Sequence, residues 1–241
     1  IENVSSQFHA VGKKVAVVMN VCGVMEMNSW KDEPDAILLA WFPGQECGDA
    51  IADVISGKAN PSGKLPMTFP IDYFDIPSSR NFPMVRETKS GKNFDYTNYE
   101  EDIWVGYRYF NTANKAIVYP FGYGLSYTNF SFGKPKLERK NEKWVATIQI
   151  TNTGNVSGKE TVQLYISAPQ PSIQKPSAEL KAFGKTRELK PEESETVKLE
   201  FTDYDLASFD EANSQWLTSK GEYTLSFGAS SKDFRATLPL N

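Results

Sequence analysis

Residues 144–155 read Trp-Val-Ala-Thr-Ile-Gln-Ile-Thr-Asn-Thr-Gly-Asn. Trp144, Ala146, Ile148 and Ile150 recur at every second position, with Val145, Thr147 and Gln149 between them and Thr151 after. A period of two puts one set on a single face of a strand. Asn152 to Asn155 then supplies turn chemistry. The same grammar returns at Val162, Leu164 and Ile166, at Val197, Leu199 and Phe201, and at Tyr223, Leu225 and Phe227. Lys190-Pro191-Glu192 and Ser230 to Asp233 mark further turns.

With Gly133–Glu138, Leu180–Arg187 and Phe234–Leu238 added, about seven short strands fill roughly 110 residues, the signature of an antiparallel immunoglobulin-like sandwich. The Cys…Trp…Cys mark of true immunoglobulin domains is absent, which favours a fibronectin type III-like sandwich over residues 128–241.

Upstream of Tyr127 the grammar differs. Ile1, Val4, Phe8 and Val11 fall at helical spacing, and Gly12 is a natural stop. No capping residue opens that helix. Val15 to Met19 and Ala36 to Trp41 are short apolar runs without alternation, as in strands buried on both faces. Pro43-Gly44-Gln45 makes a turn. Ala50, Ile51, Val54 and Ile55 then form one helical stripe closed by Gly57, with Glu46 and Asp49 in its first turn. Strands alternating with helices predict an α/β arrangement with a parallel sheet over residues 1–127. Within it, Ile71 to Asn98 reads as a long polar loop, and Ile103 to Phe110 as a strand.

The chain has 241 residues, with Lys+Arg 26 against Asp+Glu 30, a formal charge of −4. It lacks the basic excess of a phosphate-neutralising binder, so no nucleic-acid partner is expected. Hydrophobic residues at 40% and charged residues at 23% are a globular composition. No run of about 18 apolar residues exists, so no membrane span is expected. One His and two Cys exclude a multi-His metal site, a four-Cys zinc site and a disulfide scaffold. The chain opens at Ile1 without a visible basic-then-apolar leader, which is expected either of a processed N-terminus or of a piece of something longer.

Five stretches resemble glycoside hydrolase family 3, in family order and over nearly the whole chain. They are Ala40 to Glu46 with Ala52-Asp53-Val54, Asn60 to Pro70, Val105 to Phe110, Tyr119 to Tyr127, and Glu179 to Phe183. The last resembles the ELKGF of the family's fibronectin type III-like domain, with Ala182 in place of Gly. Cys22 and Cys47 also stand where the family has glycines. The resemblance implies the end of an α/β sandwich domain joined to a complete fibronectin type III-like domain. It further implies an N-terminal barrel carrying an Asp nucleophile, and an upstream sandwich segment carrying an acid/base Glu.

By that resemblance the parent is a retaining, exo-acting, β-glucosidase-like enzyme that hydrolyses terminal β-linked sugars. Such chemistry needs two carboxyl groups about 5–5.5 Å apart, and both belong upstream. No catalytic residue is therefore assigned in this chain. An oligosaccharide or glycoside substrate would be met through the full enzyme, with no cofactor and no metal. Periplasmic or secreted location is expected; oligomeric state is left open.

Most acids and aromatics of the chain have structural roles open to them. Glu26 and Trp30 lie in the loop after a strand, where α/β ligand sites gather, and are the substrate-binding candidates. Glu46 and Asp49 read as helix-dipole partners, Glu100-Glu101-Asp102 as a solvated turn, His9 as a polar-face residue and Trp41 as core. Tyr107, Tyr109, Tyr119, Phe121, Tyr123 and Tyr127 read as packing between the halves. Cys22 and Cys47 follow strands of one sheet, and a disulfide there would need Cα atoms within about 7 Å. The alternative reading is a non-catalytic module that binds a glycan or a protein through exposed Trp or Tyr.

Overall fold

The computed structural model describes residues 1–82, 85–87, 94–169 and 173–240. They form two compact units, one of residues 1–59, 68–102 and 116–119, the other of 60–67, 103–115 and 120–241.

In the first unit, α1 (Glu2–Ala10) starts without a side-chain cap. It stops at Gly12, whose φ of +70° suits a residue without Cβ. Strand β1 (Ala16–Met19) pairs in parallel with β2 (Ala36–Leu39), Ala16 facing Ala36 and Met19 facing Leu39. Helix α2 (Cys47–Ile55) follows. Strand β3 (Phe69–Pro70) is antiparallel to β6 (Ile117–Tyr119), and the buried Phe69 meets Tyr119 edge-on at 6.2 Å. Between them, β4 (Val85–Glu87) and β5 (Phe94–Tyr96) form a small ladder.

The expected loop from Ile71 to Asn98 therefore holds structure: that ladder and two 3-10 turns, Tyr73–Asp75 and Pro77–Arg80. Its residues 83–84 and 88–93 lie outside the described ones. The expectation of doubly buried strands needs correction. Ala16 and Val18 of β1 and Ala36 of β2 are exposed. A parallel pair is buried only when layers cover both faces, and within this unit they do not.

The second unit contains α3 (Tyr107–Thr112) and two facing sheets. One has the order β11 (Glu179–Lys185), β10 (Thr161–Ser167), β15 (Tyr223–Ser230), β16 (Asp233–Leu240). The other has β12 (Ser194–Thr202), β9 (Lys143–Asn152), β7 (Phe130–Phe132), with β8 (Lys136–Lys140) also on β9. Register sets Val197 against Ile148 and Leu199 against Ala146 in one sheet, and Leu164 against Phe227 in the other. Their alternating side chains make one core, in which Ala146, Ile150, Val162, Leu164, Leu225 and Phe227 are fully enclosed. Strands β13 (Ser208–Asp210) and β14 (Gln215–Leu217) add a hairpin.

Residues 103–110 are a correction. Aromatic and β-branched content predicts a strand, yet α3 begins at Tyr107. Gly106, at φ +56°, turns the chain into the helix, and Phe110 is buried at 2% exposure. Packing of a short amphipathic turn overrides intrinsic strand preference here.

Segments 103–115 and 120–127 roof the outer face of the β10 sheet. Tyr107 stacks on Phe121 at 4.9 Å and meets Tyr165 edge-on at 5.8 Å. Gln163 Nε2 donates to the carbonyls of Gly122 and Ala229, at 3.1 and 2.8 Å. Tyr165 donates to Gln163 at 2.7 Å, and burial pushes its phenol well up from the ordinary value. β10 is thus buried on both faces although its sheet is antiparallel.

Candidate functional site

Because β1 and β2 run parallel, their carboxyl ends share one edge. Open α/β sheets bind ligands along that edge. Residues 20–35 leave it after β1, carrying Glu26 and Trp30. Residues 40–46 leave it after β2, carrying Trp41 and Glu46.

The first segment is pinned by Met27, 3% exposed. The Trp30 and Lys31 amides donate to the Met27 carbonyl at 3.2 and 2.8 Å, coiling a turn. Glu26 caps that turn, accepting from the Ser29 hydroxyl at 2.7 Å and the Ser29 amide at 2.9 Å. Trp30 Nε1 donates to the Glu26 carbonyl at 2.8 Å. The structure therefore brings the two sequence candidates together.

The Ser29 hydroxyl, then its amide, hold the Glu26 carboxyl below the usual carboxylate range. Glu26 is an anion near neutrality, able to accept hydrogen bonds but unsuited to proton donation. With its N–H engaged, Trp30 offers ring surface.

Trp41 adopts φ +54°, in the left-handed region where aromatic residues are rare. It is half-buried, and the turn continues through Gly44 at φ +81°. Sequence shows nothing of this backbone strain. Glu46 and Asp49 sit at the start of α2, as expected of dipole partners. Glu100 and Asp102 are exposed, whereas Glu101 keeps Oε2 enclosed without a hydrogen-bond partner. The solvated-turn reading holds for the outer two only.

His9 is more than a polar-face residue: its Nε2 meets Asp35 Oδ2 at 2.9 Å. The same carboxylate accepts from Lys14 Nζ at 2.6 Å and the Val15 amide at 2.9 Å, tying α1 to the start of β1. Lys14 foremost drives the Asp35 carboxyl far below its ordinary value. Cys22 and Cys47 are free thiols. Tyr107 and Phe121 belong to the sandwich unit, and Tyr119 to the α/β unit.

Elsewhere an open groove of about 390 Å³ lies between β11 and β12, lined by Lys181, Phe183, Lys198 and Glu200 among others. Its Glu200 carboxylate is bound by Lys198 and Lys143 and held below its ordinary value. A groove with this one carboxylate offers no pair for retaining hydrolysis. Among the described residues, no cluster of three or more His, Cys, Asp or Glu could hold a metal. No helix among them is long and apolar enough to cross a membrane.

Residues 1–127 match the sequence model of the glycosyl hydrolase family 3 C-terminal domain, and residues 160–231 that of the fibronectin type III-like domain. β-Glucosidase A of Butyrivibrio fibrisolvens is 41% identical, over 92% of this chain and 29% of that protein. β-Glucosidase B of Emericella nidulans is 39% identical, over 90% and 26%. The structure of β-glucosidase 3B from Thermotoga neapolitana in complex with glucose superposes with a TM-score of 0.91 at 47% identity, over 99% of this chain and 32% of that one. A Bifidobacterium adolescentis GH3 β-glucosidase gives 0.86 at 35% identity, over 98% and 34%. The chain spans between a quarter and three tenths of the length of the curated relatives it matches.

Proposed function

The chain belongs to glycosyl hydrolase family 3, as its C-terminal domain joined to a fibronectin type III-like domain, and from that premise we propose that it works as the supporting C-terminal portion of a retaining, exo-acting β-glucosidase. The whole enzyme removes terminal β-linked glucose from oligosaccharides or glycosides. The division at residue 127, and a periplasmic or secreted location suited to a glycan-degrading enzyme with few cysteines, are part of this proposal.

One observation carries the supporting role. The apolar stripe of α1 is bare: Ile1, Val4, Phe8 and Val11 are 48%, 53%, 49% and 69% exposed. An amphipathic helix gains its stability from burying such a stripe. Val18 and Ile55 of the same unit are exposed as well. These faces suit an α/β layer completed by further polypeptide.

In that assembly the reacting carboxyl pair comes from elsewhere. This chain contributes the carboxyl edge of β1 and β2. There Glu26, fixed by Ser29, can accept hydrogen bonds from sugar hydroxyls, and Trp30 can cover a sugar face. Both sit on the loop after β1, held by the hydrogen bonds to the Met27 carbonyl and from Ser29.

The test is hydrolysis of a chromogenic β-glucoside by the chain alone and again with its upstream polypeptide restored. Inertness alone and activity on restoration are expected. Turnover by the chain alone would refute the assignment of both acids upstream. Failure of the restored enzyme on β-glucosides and β-xylosides alike would refute the activity.

A further inference from the structure

We propose that the β13–β14 hairpin and the turn before it form a docking platform for a neutral β-linked oligoglucoside. Three aromatic rings form its surface. Trp216 lies 4.8 Å from Tyr204 and 5.5 Å from Phe209, centroid to centroid. Tyr204, Trp216 and Phe209 are nevertheless 61%, 52% and 45% exposed, and Leu217 beside them 38%. A contiguous aromatic strip left open to water marks an interaction surface more often than a scatter of single residues does.

The strip is held in place from beneath. Leu206 is buried, and its carbonyl accepts from Lys175 Nζ at 2.6 Å. Asp205 accepts from the amide and hydroxyl of Thr202, both at 2.7 Å. Asp210 closes the hairpin loop by accepting from the Ala212 amide at 3.1 Å and Asn213 Nδ2 at 2.7 Å. Rings fixed in this way lose little conformational freedom on binding.

Area and charge select the occupant. Four side chains about half exposed offer roughly 400 Å². A stable protein interface takes about 800 Å² per partner, so a second copy or a folded protein is poorly served. Asp205, Asp210 and Glu211 neighbour the ring residues along the chain, whereas Asp203 is paired with Arg139 at 2.7 Å; the three remaining acids disfavour anionic lipid, nucleic acid or acidic polymers. A neutral pyranose chain meets both conditions. Its axial C–H faces suit the electron-rich ring faces, and its equatorial hydroxyls suit the rim of Asp210, Asn213 and Gln215. The choice of a β-linked glucan rests on the proposed function; the platform itself does not.

Titration of the 241-residue chain carrying Trp30→Ala, so that the sugar surface proposed at Trp30 adds neither binding nor signal, with cellohexaose and laminarihexaose, followed by tryptophan fluorescence, tests the proposal without any turnover. Saturable quenching is expected with at least one of them. Trp216→Ala should weaken it at least about tenfold, and Trp216→Tyr should retain it within about threefold. Circular dichroism of each variant confirms that the sandwich is intact. No binding of either sugar, or binding that survives Trp216→Ala in a folded chain, would overturn the platform. Loss of catalysis by the restored enzyme would leave this readout untouched, so the two proposals fail separately.

Discussion

Lys64 Nζ lies 2.9 Å from Glu160 Oε1, both side chains being withdrawn from solvent at 15% and 7% exposure. Lys64 also donates to the Gly124 carbonyl at 3.0 Å. The same Glu160 oxygen accepts from the Thr161 amide at 2.7 Å. Nearby, Asn60 donates to the Ser157 carbonyl at 2.9 Å and accepts from Ser126 Oγ and the Tyr127 amide, at 3.0 and 2.8 Å. Residues 60–67 and 120–127 are thus fastened into the sandwich unit.

Breaking one partner of an enclosed pair strands the other charge. Glu160→Gln is expected to lower stability by about 3 kcal/mol, and Lys64→Met by a similar amount. The double replacement Lys64→Met with Glu160→Leu removes both charges and should recover most of the loss. Urea unfolding midpoints of the four proteins check this. A double variant no better than either single one would show that the pair stabilises beyond its own desolvation cost.

Gly122 predicts a sharper effect. Its φ is +80°, and a Cβ there would run into the Gln163 side chain. Gly122→Ala therefore combines left-handed strain of about 1 kcal/mol with overpacking of about 1–3 kcal/mol. A fall in stability of about 2–4 kcal/mol is expected, with faster amide exchange in β10. Ala at the solvent-facing Gly63, which has open space and no positive φ, serves as the mild control.

These relationships explain what sequence could and could not show. β9, β12 and β15 were legible because each carries its own alternation, and Ile148, Leu199 and Leu225 point inward as that alternation requires. The α/β half was legible from spacing and from family motifs. The pairs Lys64–Glu160 and His9–Asp35 were not, since no local pattern encodes which distant residue a charge will meet. The β13–β14 hairpin escaped because its strands are too short to show a period. Their place after a strand marks Glu26 and Trp30 in the sequence, but the Ser29 hydrogen bonds that hold the Glu26 carboxyl low are visible only in the fold.

Acid should loosen two places in the same sense. The Asp35 carboxyl is lowered in the fold, so in acid the unfolded chain binds more protons than the native one and stability rises with pH. Its contribution is complete above about pH 4 and is lost as the pH falls below that. Protection of the Val15 amide, taken as its exchange rate relative to an unstructured chain at the same pH, is expected to fall progressively as the pH drops below about 4, and Asp35→Asn should abolish that pH dependence.

Glu193 follows the same rule with a measurable midpoint. The Arg187 guanidinium at 2.7 Å, then the Lys190 amide at 2.9 Å, hold its carboxyl at about 2. Its stabilisation is present above about pH 4.3, the unfolded value, and disappears as the pH falls through about 2. Carbon-detected NMR titration should find that midpoint, and Arg187→Ala should move it up toward the ordinary value. An unmoved midpoint would assign the shift to the backbone amide instead.

The bare stripe of α1 separates folding from assembly. Val4 and Phe8 are 53% and 49% exposed, so Val4→Asp and Phe8→Asp should change the stability of the chain alone by no more than about 0.5 kcal/mol. If the stripe is where further enzyme polypeptide packs, the same charges become buried and unpaired on assembly, at a cost of several kcal/mol. β-Glucosidase activity regained by mixing this chain with its upstream polypeptide should then fall by more than about tenfold. Ser6→Asp, at an exposed position off the stripe, should leave that activity unchanged. Equal effects of all three would mean that added charge on α1, rather than loss of an apolar contact, governs reassembly. Stability loss in the isolated chain would instead show that the stripe already packs within it.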